Sequence, residues 1–226
     1  GVCLTTPPVA HGTEPDRYDP GPAPFRFPHR IMGLRRVSSS RSEVNRVRYE
    51  TDRLVLRSIS RRDAPLLLDY LSRNRDFLAG WEPIREESYY TPESVAEIIR
   101  SEHADHRRKS ALKLHISKKG ERRIIGYIGL SNIVRGAFLS CFVGCRLDSA
   151  EINRGYTTEA LGEVIRIAFG SMGLHRIEAN IIPRNVRSRR VVAKLGFTLE
   201  GLSRKYLRIN GVWEDHLHYV LLNDGV

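Results

Sequence analysis

The sequence predicts an α/β protein built on a mixed, mostly antiparallel sheet of seven strands, with about four helices. Strand-like and helix-like segments follow the order β-α-α-β-β-β-α-β-α-β-β, so the two types mix without strict alternation. The dipeptide Asn210-Gly211 favours a type I′ turn and joins the last two strands as a hairpin. A second turn, over residues 118–121, joins two strands in the middle of the chain.

The first half of the chain holds one strand, two helices and three further strands. Residues 51–59 have the apolar alternation of a strand. Ser60 and Asp63 have the spacing of a helix cap and its third-position acid, which predicts a helix over about residues 62–73. Thr91 as cap and Pro92 at the first helical position predict a second helix towards Arg108. Three adjacent antiparallel strands follow at residues 111–117, 123–131 and 137–147.

The second half holds two helices and three strands. Thr157 and Thr158 are predicted to cap a helix with a continuous apolar stripe. Asn185 is predicted to open the last helix, which Gly196 stops. Strands are predicted at residues 176–182, 205–209 and 212–221.

Composition indicates one folded domain preceded by an arm. The 226 residues are 41% hydrophobic, which is enough for one well-buried core. Residues 1–48 contain most of the prolines and little apolar periodicity, so they are predicted to form a disordered N-terminal arm before a domain at 49–226. The Arg- and Ser-rich tract near Met32 leaves open a transit peptide, a tether to an anionic surface, or a true start at Met32.

Charge and cysteine content narrow the expected partners. The net charge of +11 favours polyanions such as nucleic acid, a nucleic-acid-containing particle or an anionic cofactor, although a merely solvated basic surface also fits. No apolar run approaches the roughly 20 residues of a membrane span, so no membrane partner is expected. Cys141 and Cys145 lack the second ligand pair of a zinc site, so no metal is expected. Three cysteines without a paired framework fit a reducing compartment, the cytoplasm.

The segment over residues 151–161 lies between a strand end and a helix start. Backbone N–H groups in the first turn of a helix are unpaired and lie at the positive end of its dipole, so they can hold a pyrophosphate. Gly155 permits close approach of such a ligand, and Arg154 places a cation beside it. Taken alone, the pattern also fits an ordinary strand-to-helix turn with a solvated arginine.

Further segments, in the same order along the chain, resemble the GNAT superfamily of N-acetyltransferases. Asn185 and Ser188 resemble the N-x-x-S motif that follows the pyrophosphate loop, and their helix ends in Leu-Gly-Phe197. Within the superfamily, residues 49–223 are similar to the RimJ-type branch of ribosomal-protein-alanine N-acetyltransferases. That similarity lies in Thr51–Leu54, Asn74–Pro83, Ser131–Gly136, His175–Ile177, Lys205–Leu207 and Gly211–His216.

The resemblance implies the GNAT fold, acetyl-CoA as co-substrate and direct attack of an amine on the thioester. It implies that the pantetheine arm lies between the family's fourth and fifth strands, here residues 142–146 and 177–181, held by backbone hydrogen bonds. Ile152 and Thr157 depart from the usual loop, at positions where binding is mainly through backbone N–H groups. The implied cofactor-binding residues are Val143, Cys145, Leu147, Asn153, Arg154, Gly155, Tyr156, Thr157, Thr158, Asn185 and Arg190.

Two residues are candidates for the chemistry. Ser188 is placed to donate a hydrogen bond to the leaving thiolate, or alternatively to bond the backbone of its own helical turn. Glu82 is placed to contact the acceptor as the catalytic carboxylate, or alternatively to anchor a loop. No general base is evident, because Leu207 lies where the related RimL branch has its catalytic Glu. His216 and His218 are expected to be structural. The predicted acceptor contacts are Trp81, Asn132 and Arg135; alternatively, Trp81 is a lid on the core, and Asn132 and Arg135 are polar groups of a turn.

The implied function is acetyl transfer to the N-terminal alanine amine of a protein, with a small-subunit ribosomal protein as acceptor. The basic surface would suit docking near rRNA. A small-amine acetyltransferase acting on a polyamine or an aminoglycoside is the alternative enzyme, for which an acidic pocket is expected. A non-catalytic GNAT-like module that binds RNA or the ribosome is the alternative outside enzymes.

Overall fold

A computed structural model of the chain describes residues 47–225 and contains an eight-stranded sheet with helices on both faces. The arm predicted over residues 1–48 therefore lies, up to residue 46, outside the described residues. The strands are β1 Arg48–Glu50, β2 Leu54–Arg57, β3 Leu112–Lys118, β4 Gly126–Val134, β5 Ser140–Leu147, β6 Arg176–Ile181, β7 Thr198–Ile209 and β8 Val212–Leu222. The helices are α1 Ala64–Arg73, α2 Arg75–Ala79, α3 Pro92–Arg108, α4 Tyr156–Arg166 and α5 Val186–Lys194.

The order of strands in the sheet is β1-β2-β3-β4-β5-β6-β8-β7. Within the described range every neighbouring pair is antiparallel except β5 and β6, which are parallel and are connected through α4. A parallel pair needs such a crossover, because its strands must run in the same direction. The mixed, mostly antiparallel α/β class predicted from the sequence is confirmed, and the sheet has one strand more than predicted.

Side chains along β3 point alternately to the two faces of the sheet, and their contacts show which helices cover each face. Leu112, Leu114 and Ile116 point into the main core, which they share with α4 and α5. His115 points to the other face, where its Nε2 lies 3.0 Å from a carboxylate oxygen of Glu102 on α3. The two faces are therefore covered by different helices, α4 and α5 on one side and α1 and α3 on the other.

Helix starts follow the predicted capping chemistry in two places and differ in a third. The Thr91 hydroxyl accepts from the Ser94 amide at 3.3 Å, and Asn185 accepts from the Ser188 amide at 3.2 Å. The prediction that Thr157 and Thr158 cap a helix is wrong. That helix begins at Tyr156 with Gly155 as its N-cap, since the left-handed backbone at Gly155, φ 78°, turns the chain into the helix two residues earlier.

Short elements account for the remaining differences from the predicted order. The additional strand is β1, three residues that pair with β2 at the sheet edge. The five-residue helix α2 was also not predicted, because it is too short to show apolar periodicity. Across residues 47–225, no helix has both the length and the apolar character needed to cross a membrane.

The ion pair between Arg57 and Asp63 ties β2 to the start of the helical layer and makes a testable contribution to stability. Asp63 accepts from Arg57 at 2.7 Å and 3.1 Å and from the Ser60 amide at 2.8 Å. Burial alone would raise the pKa of Asp63, but these contacts outweigh it and lower that pKa to about 2. The unfolded-state pKa of Asp is about 3.9. Because the folded-state value is the lower one, the carboxylate stabilises the fold above pH 4 and loses its contribution between about pH 4 and pH 2.

We therefore expect Asp63→Asn to lower the free energy of unfolding by about 1–2 kcal/mol at neutral pH, after allowing for solvent screening. The difference between wild type and variant should shrink as the pH falls from 4 to 2. Urea unfolding of both proteins at several pH values measures it. A difference that stays constant down to pH 2 would contradict this assignment.

Candidate active site

The parallel strands β5 and β6 separate partway along their length. They pair at three positions, the last being Phe142 with Glu178. Beyond that point β5 stays paired with β4 as far as Leu147, and β6 stays paired with β8 as far as Ile181, so the two strands diverge. A narrow cleft opens between them, lined by Val143, Gly144, Cys145, Leu161, Ala179, Asn180, Ile181 and Val192.

The predicted strand contacts lie unequally along this cleft. Val143 and Cys145 line it, whereas Leu147 lies at the end of β5 with its side chain in the main core. All three side chains are buried. Their backbone groups along the edge of β5 are therefore the part of these residues that an extended ligand arm would meet.

The loop that follows β5 has the geometry of an anion site. Asn153 and Gly155 both have left-handed backbone, with φ 62° and 78°, and both are exposed. Alternation of left- and right-handed residues turns successive N–H groups towards one point. Within residues 47–225, no side chain accepts from the amides of residues 156–158, which form the first turn of α4. These amides are therefore available to a phosphate group.

A clamp that the sequence reasoning missed fixes the loop to the start of the domain. Arg53 donates to the backbone oxygen of Arg154 at 3.0 Å and, through Nε, to the Glu159 carboxylate at 2.7 Å. The Arg53 amide also donates to Glu159, at 2.8 Å, and the guanidinium lies 4.7 Å from the centre of the Tyr156 ring. Together with Thr51, these contacts lower the pKa of Glu159 despite its partial burial, which alone would raise it. The segment Thr51–Leu54 had been noted in the sequence as part of the family resemblance. Its contact could not be predicted, because Glu159, the partner of Arg53, lies 106 residues away.

Arg154 was predicted to be a cation beside the pyrophosphate. Its guanidinium lies 3.4 Å from the buried carboxylate of Glu151, which also pairs with Lys118 at 3.2 Å. The Arg154 side chain is still 57% exposed. It therefore remains accessible to an anion at the loop, with Glu151 as a competing partner.

Helix α5 closes the other side of the cleft. Val192 lines the cleft, and Ser188 lies one helical turn earlier, fully buried. Asn185 caps the helix through the Ser188 amide. Arg190 is exposed on the same helix. The structure thus brings Asn185 and Ser188 to the helix beside the cleft, while Thr157 and Thr158 lie in the first turn of α4.

A second cavity, of about 250 Å³, lies under the loop that follows α2. Glu82 and Arg146 are among its lining residues, and Arg146 Nη1 lies 3.1 Å and 3.2 Å from the two carboxylate oxygens of Glu82. Burial disfavours the charged guanidinium, but the Glu82 carboxylate outweighs burial and raises the pKa of Arg146 well above its usual value. The backbone N–H of Asn210 donates to the backbone oxygen of Glu82 at 2.9 Å, which fixes the loop to the β7–β8 hairpin.

Register places this cavity close to the cleft but on the opposite face of the sheet. Arg146 follows Gly144 on β5 by two residues, so both face the same side, away from α4 and α5. A thioester lying in the cleft would therefore be reached by an acceptor entering from the cavity. Glu82 is held there by Arg146, which favours a role in binding and charge placement over that of a general base.

The three predicted acceptor contacts do not line the Glu82–Arg146 cavity. Trp81 is 3% exposed, packs with Ile182 and Ile209, and does not line the cavity, so its place is in the packing beneath the loop. Asn132 is exposed at an irregularity of β4 with φ 49°, at the end of that strand remote from the pyrophosphate loop. Arg135 Nη1 donates to the backbone oxygen of Met172 at the same end. Ser131, next to Asn132, pairs with Phe142, the position at which β5 and β6 begin to separate.

A cleft between separating parallel strands, beside a helix whose first amides have no side-chain partner in the described part of the chain, fits an extended carrier with a phosphate-bearing end. Fold and site together define a transferase of the acyl-CoA-dependent type. Within residues 47–225, no group of three or more His, Cys, Asp or Glu side chains is arranged to hold a metal ion.

Comparison with known proteins supports this class and gives the family. The profile described as "Acetyltransferase (GNAT) domain" matches residues 53–198. The chain is 40% identical over 177 residues to the [ribosomal protein uS5]-alanine N-acetyltransferase of Escherichia coli K12, covering 78% of this chain and 91% of that protein. The chain belongs to the GNAT acetyltransferases, as the sequence predicted, and it is an acetyltransferase.

Solved structures agree in fold. A ribosomal-protein-S5-alanine acetyltransferase from Vibrio fischeri has a TM-score of 0.75 and 38% identity, over 79% of this chain and 98% of that one. RimJ from Mycobacterium smegmatis, in complex with CoA-disulfide, has a TM-score of 0.72 and 30% identity, over 76% of this chain and 83% of that one. The predicted GNAT fold is confirmed, and this family includes structures that hold CoA.

Proposed function

We propose that the protein transfers the acetyl group of acetyl-CoA to the N-terminal alanine amine of a ribosomal protein by direct attack of the amine on the thioester. The observation that carries this proposal is the 40% identity to an enzyme named for acetylating the alanine of ribosomal protein uS5. The match covers 91% of the length of that enzyme. The two-sided site supports it, because the cleft and the cavity approach each other from opposite faces of the sheet.

In this mechanism the chain binds and orients both partners. The amides of residues 156–158 and the exposed Arg154 receive the diphosphate, and the edge of β5 holds the pantetheine arm through backbone hydrogen bonds. The amine lone pair forms the N–C bond while the C–S bond breaks, with its electron pair going to sulfur. One proton leaves nitrogen and one is gained by sulfur, so the exchange balances without an acyl-enzyme.

An N-terminal acceptor lowers the demand for a general base. Its α-amine has a pKa of about 7.7–8.0, against about 10.4 for lysine, so an appreciable fraction is already unprotonated near neutral pH. Water or a weak base then suffices. This agrees with a cavity whose buried carboxylate, Glu82, is engaged by Arg146.

The acceptor class is tested by a panel of amines. Acetyl transfer is measured for short peptides beginning with Ala, Ser or Met, alongside spermidine and kanamycin. We expect the largest kcat/KM for the Ala peptide. Turnover confined to spermidine or kanamycin would overturn the proposal in favour of a small-amine acetyltransferase.

We propose further that Ser188 donates a hydrogen bond to the departing thiolate. Since a thiol has a pKa of about 8.5, the leaving group needs only modest help, and Ser188→Ala should lower kcat on the order of 10-fold. The Kd of acetyl-CoA should change less than the rate does. Single-turnover kinetics and calorimetry separate the two quantities.

Ser94→Ala is the matched control for Ser188→Ala. Ser94 occupies the same position after its cap, donating its amide to Thr91 as Ser188 does to Asn185, but on a helix of the opposite face. We expect it to leave both kcat and acetyl-CoA binding unchanged. An unaltered kcat in Ser188→Ala would remove that hydroxyl from the mechanism.

The proposal also covers where the enzyme acts. A ribosomal acceptor places the activity in the cytoplasm, and the net charge of +11 would favour contact with rRNA. Such contact should weaken steeply with salt, because counterions released from phosphates oppose binding as the ionic strength rises.

A further inference from the structure

Asn180 lies on β6 where this strand leaves β5. It lines the cleft, although its side chain is only 6% exposed. Its neighbours Ala179 and Ile181 point into the main core towards α4 and α5. Because successive side chains of a strand point to opposite faces, the Asn180 amide faces the side of the Glu82–Arg146 cavity. Extending the β5–β6 register by two residues places it across the cleft from Gly144.

The nitrogen of the Asn180 side-chain amide has a hydrogen-bond partner among the described residues, whereas its oxygen has none. Asn180 Nδ2 donates to Tyr206 Oη at 3.4 Å. Asn180 Oδ1 is buried and has no hydrogen-bond partner anywhere in residues 47–225. A buried acceptor left unpaired costs about 1–3 kcal/mol, and native proteins usually pair such an atom with a ligand or water. The carbonyl oxygen is therefore an unpaired acceptor in the wall of the cleft.

The wall behind Asn180 is aromatic. The Tyr206 ring packs edge-to-face on His218, with centroids 4.9 Å apart, and tilted against His216 at 5.4 Å. His216 is fully buried, and burial lowers its pKa, so its imidazole is neutral near pH 7. Glu178 faces the same side, but its carboxylate pairs with Arg176 at 2.8 Å. The ring contacts position the Tyr206 hydroxyl, which accepts from Asn180 Nδ2 and favours one orientation of that amide.

We propose that Asn180 Oδ1 accepts a hydrogen bond from an N–H of the acceptor amine, and that Tyr206 acts as a positioning residue that fixes the amide. The inference rests on the proposed acetyl transfer. An attacking amine must direct its lone pair at the thioester carbon, so its N–H bonds need an acceptor on the other side. A neutral, buried oxygen binds a neutral amine better than an ammonium ion, because burial disfavours the charged form.

This arrangement deepens the proposed choice of substrate. The neutral form is common for an N-terminal α-amine, whose pKa is about 7.7–8.0, and rare for a lysine side chain at about 10.4. The wall would therefore select α-amines by their protonation state, in addition to any fit of the acceptor chain in the cavity.

The test compares three full-length proteins: wild type, Asn180→Ala and Tyr206→Phe. Each is assayed with an Ala-starting peptide for kcat/KM, and calorimetry gives both the Kd of acetyl-CoA and the Kd of the peptide for the enzyme–CoA complex. We expect Asn180→Ala to lower kcat/KM about 10-fold or more and to weaken peptide binding, with the acetyl-CoA Kd unchanged within about twofold. Tyr206→Phe removes one oxygen and should give a smaller loss in the same two quantities.

Two outcomes would overturn the inference. An unchanged kcat/KM in Asn180→Ala means that the oxygen does not touch the amine. A rise in the acetyl-CoA Kd that matches the fall in kcat/KM means that Asn180 serves the donor. If Asn180→Ala does not fold, Tyr206→Phe decides by the same criteria, because its ring packing is preserved.

Failure of the proposed function remains distinguishable from failure of this inference. The wild type alone decides whether the Ala peptide or a small amine is the acceptor. If the wild type uses only spermidine, the same variants are assayed with spermidine. The Asn180 prediction is then decided by the same criterion, a fall in kcat/KM without a matching rise in the acetyl-CoA Kd.

Discussion

Gly155→Val is expected to weaken acetyl-CoA binding about 100-fold. Gly155 has φ 78°, a conformation that costs a β-branched residue about 1–3 kcal/mol, which corresponds to a factor of roughly 5–150 in a dissociation constant. A Cβ there would lie 3.4 Å from Arg53 Nη2, and the valine methyl groups would extend into the space that a phosphate needs. The loop must then either stay strained or relax and lose the alignment of its amides. Calorimetric titration with acetyl-CoA measures the effect.

Two control variants distinguish a loss of phosphate binding at the Gly155 loop from a general effect of backbone strain. Gly120→Val places valine at another left-handed glycine, φ 80°, in the turn between β3 and β4, where no atom lies within 4 Å of the new Cβ. It should lower the free energy of unfolding similarly but leave the acetyl-CoA Kd unchanged. Gly155→Asn should lose less affinity than Gly155→Val, because Asn tolerates this conformation. Binding of acetyl-CoA by Gly155→Val within threefold of wild type would show that the diphosphate lies elsewhere.

Arg146→Met is expected to destabilise the protein by about 3–5 kcal/mol, the usual loss when one partner of a buried ion pair is removed. The Glu82 carboxylate is 10% exposed and would remain in the cavity without its guanidinium. The same guanidinium lies 4.9 Å from the centre of the Tyr127 ring, so packing is lost together with charge. Urea unfolding at pH 7.5 measures the change, and acetyl transfer to the Ala peptide should fall with the distortion of the cavity.

The double variant Glu82→Gln/Arg146→Met identifies the cause. If the loss arises from an uncompensated buried charge, neutralising Glu82 should restore most of the stability, giving a large coupling energy in the double-mutant cycle. Arg123→Met is the matched surface control, since Arg123 is 49% exposed and 3.5 Å from Asp148, and it should cost less than about 1 kcal/mol. Equal losses of unfolding free energy for Arg146→Met and Arg123→Met would mean that the Glu82–Arg146 ion pair contributes no more to stability than a surface pair.

Predictions made from adjacent residues were the accurate ones. The Thr91 and Asn185 caps were found because a cap and its amide lie three residues apart. The loop at Gly155 was found because a glycine between a strand and a helix has a local meaning, and the family followed from motifs in a fixed order. The start of α4 was misplaced by two residues, because a threonine pair resembles a cap while the positive φ of Gly155 is not visible in the sequence.

Which side chains face the Glu82–Arg146 cavity was harder to predict. Trp81 was a candidate for an acceptor pocket, with a lid on the core as the alternative, and the indole is buried against Ile182 and Ile209. Arg146 and Asn180 were not singled out, although both face the side of the sheet on which the cavity lies. Neither residue type nor spacing distinguishes them from the other polar residues of a strand.

The sequence by itself determined the α/β class, the family, the glycine loop before α4 and the helix that carries Ser188, since each depends on residues within about one turn or one strand. Only the tertiary structure decided that Arg53 reaches Glu159, that Arg146 reaches Glu82 and that Asn180 reaches Tyr206. Those partners are 106, 64 and 26 residues apart. Strand register and the α4 crossover bring them together, and contacts of that kind leave no periodic signal along the chain.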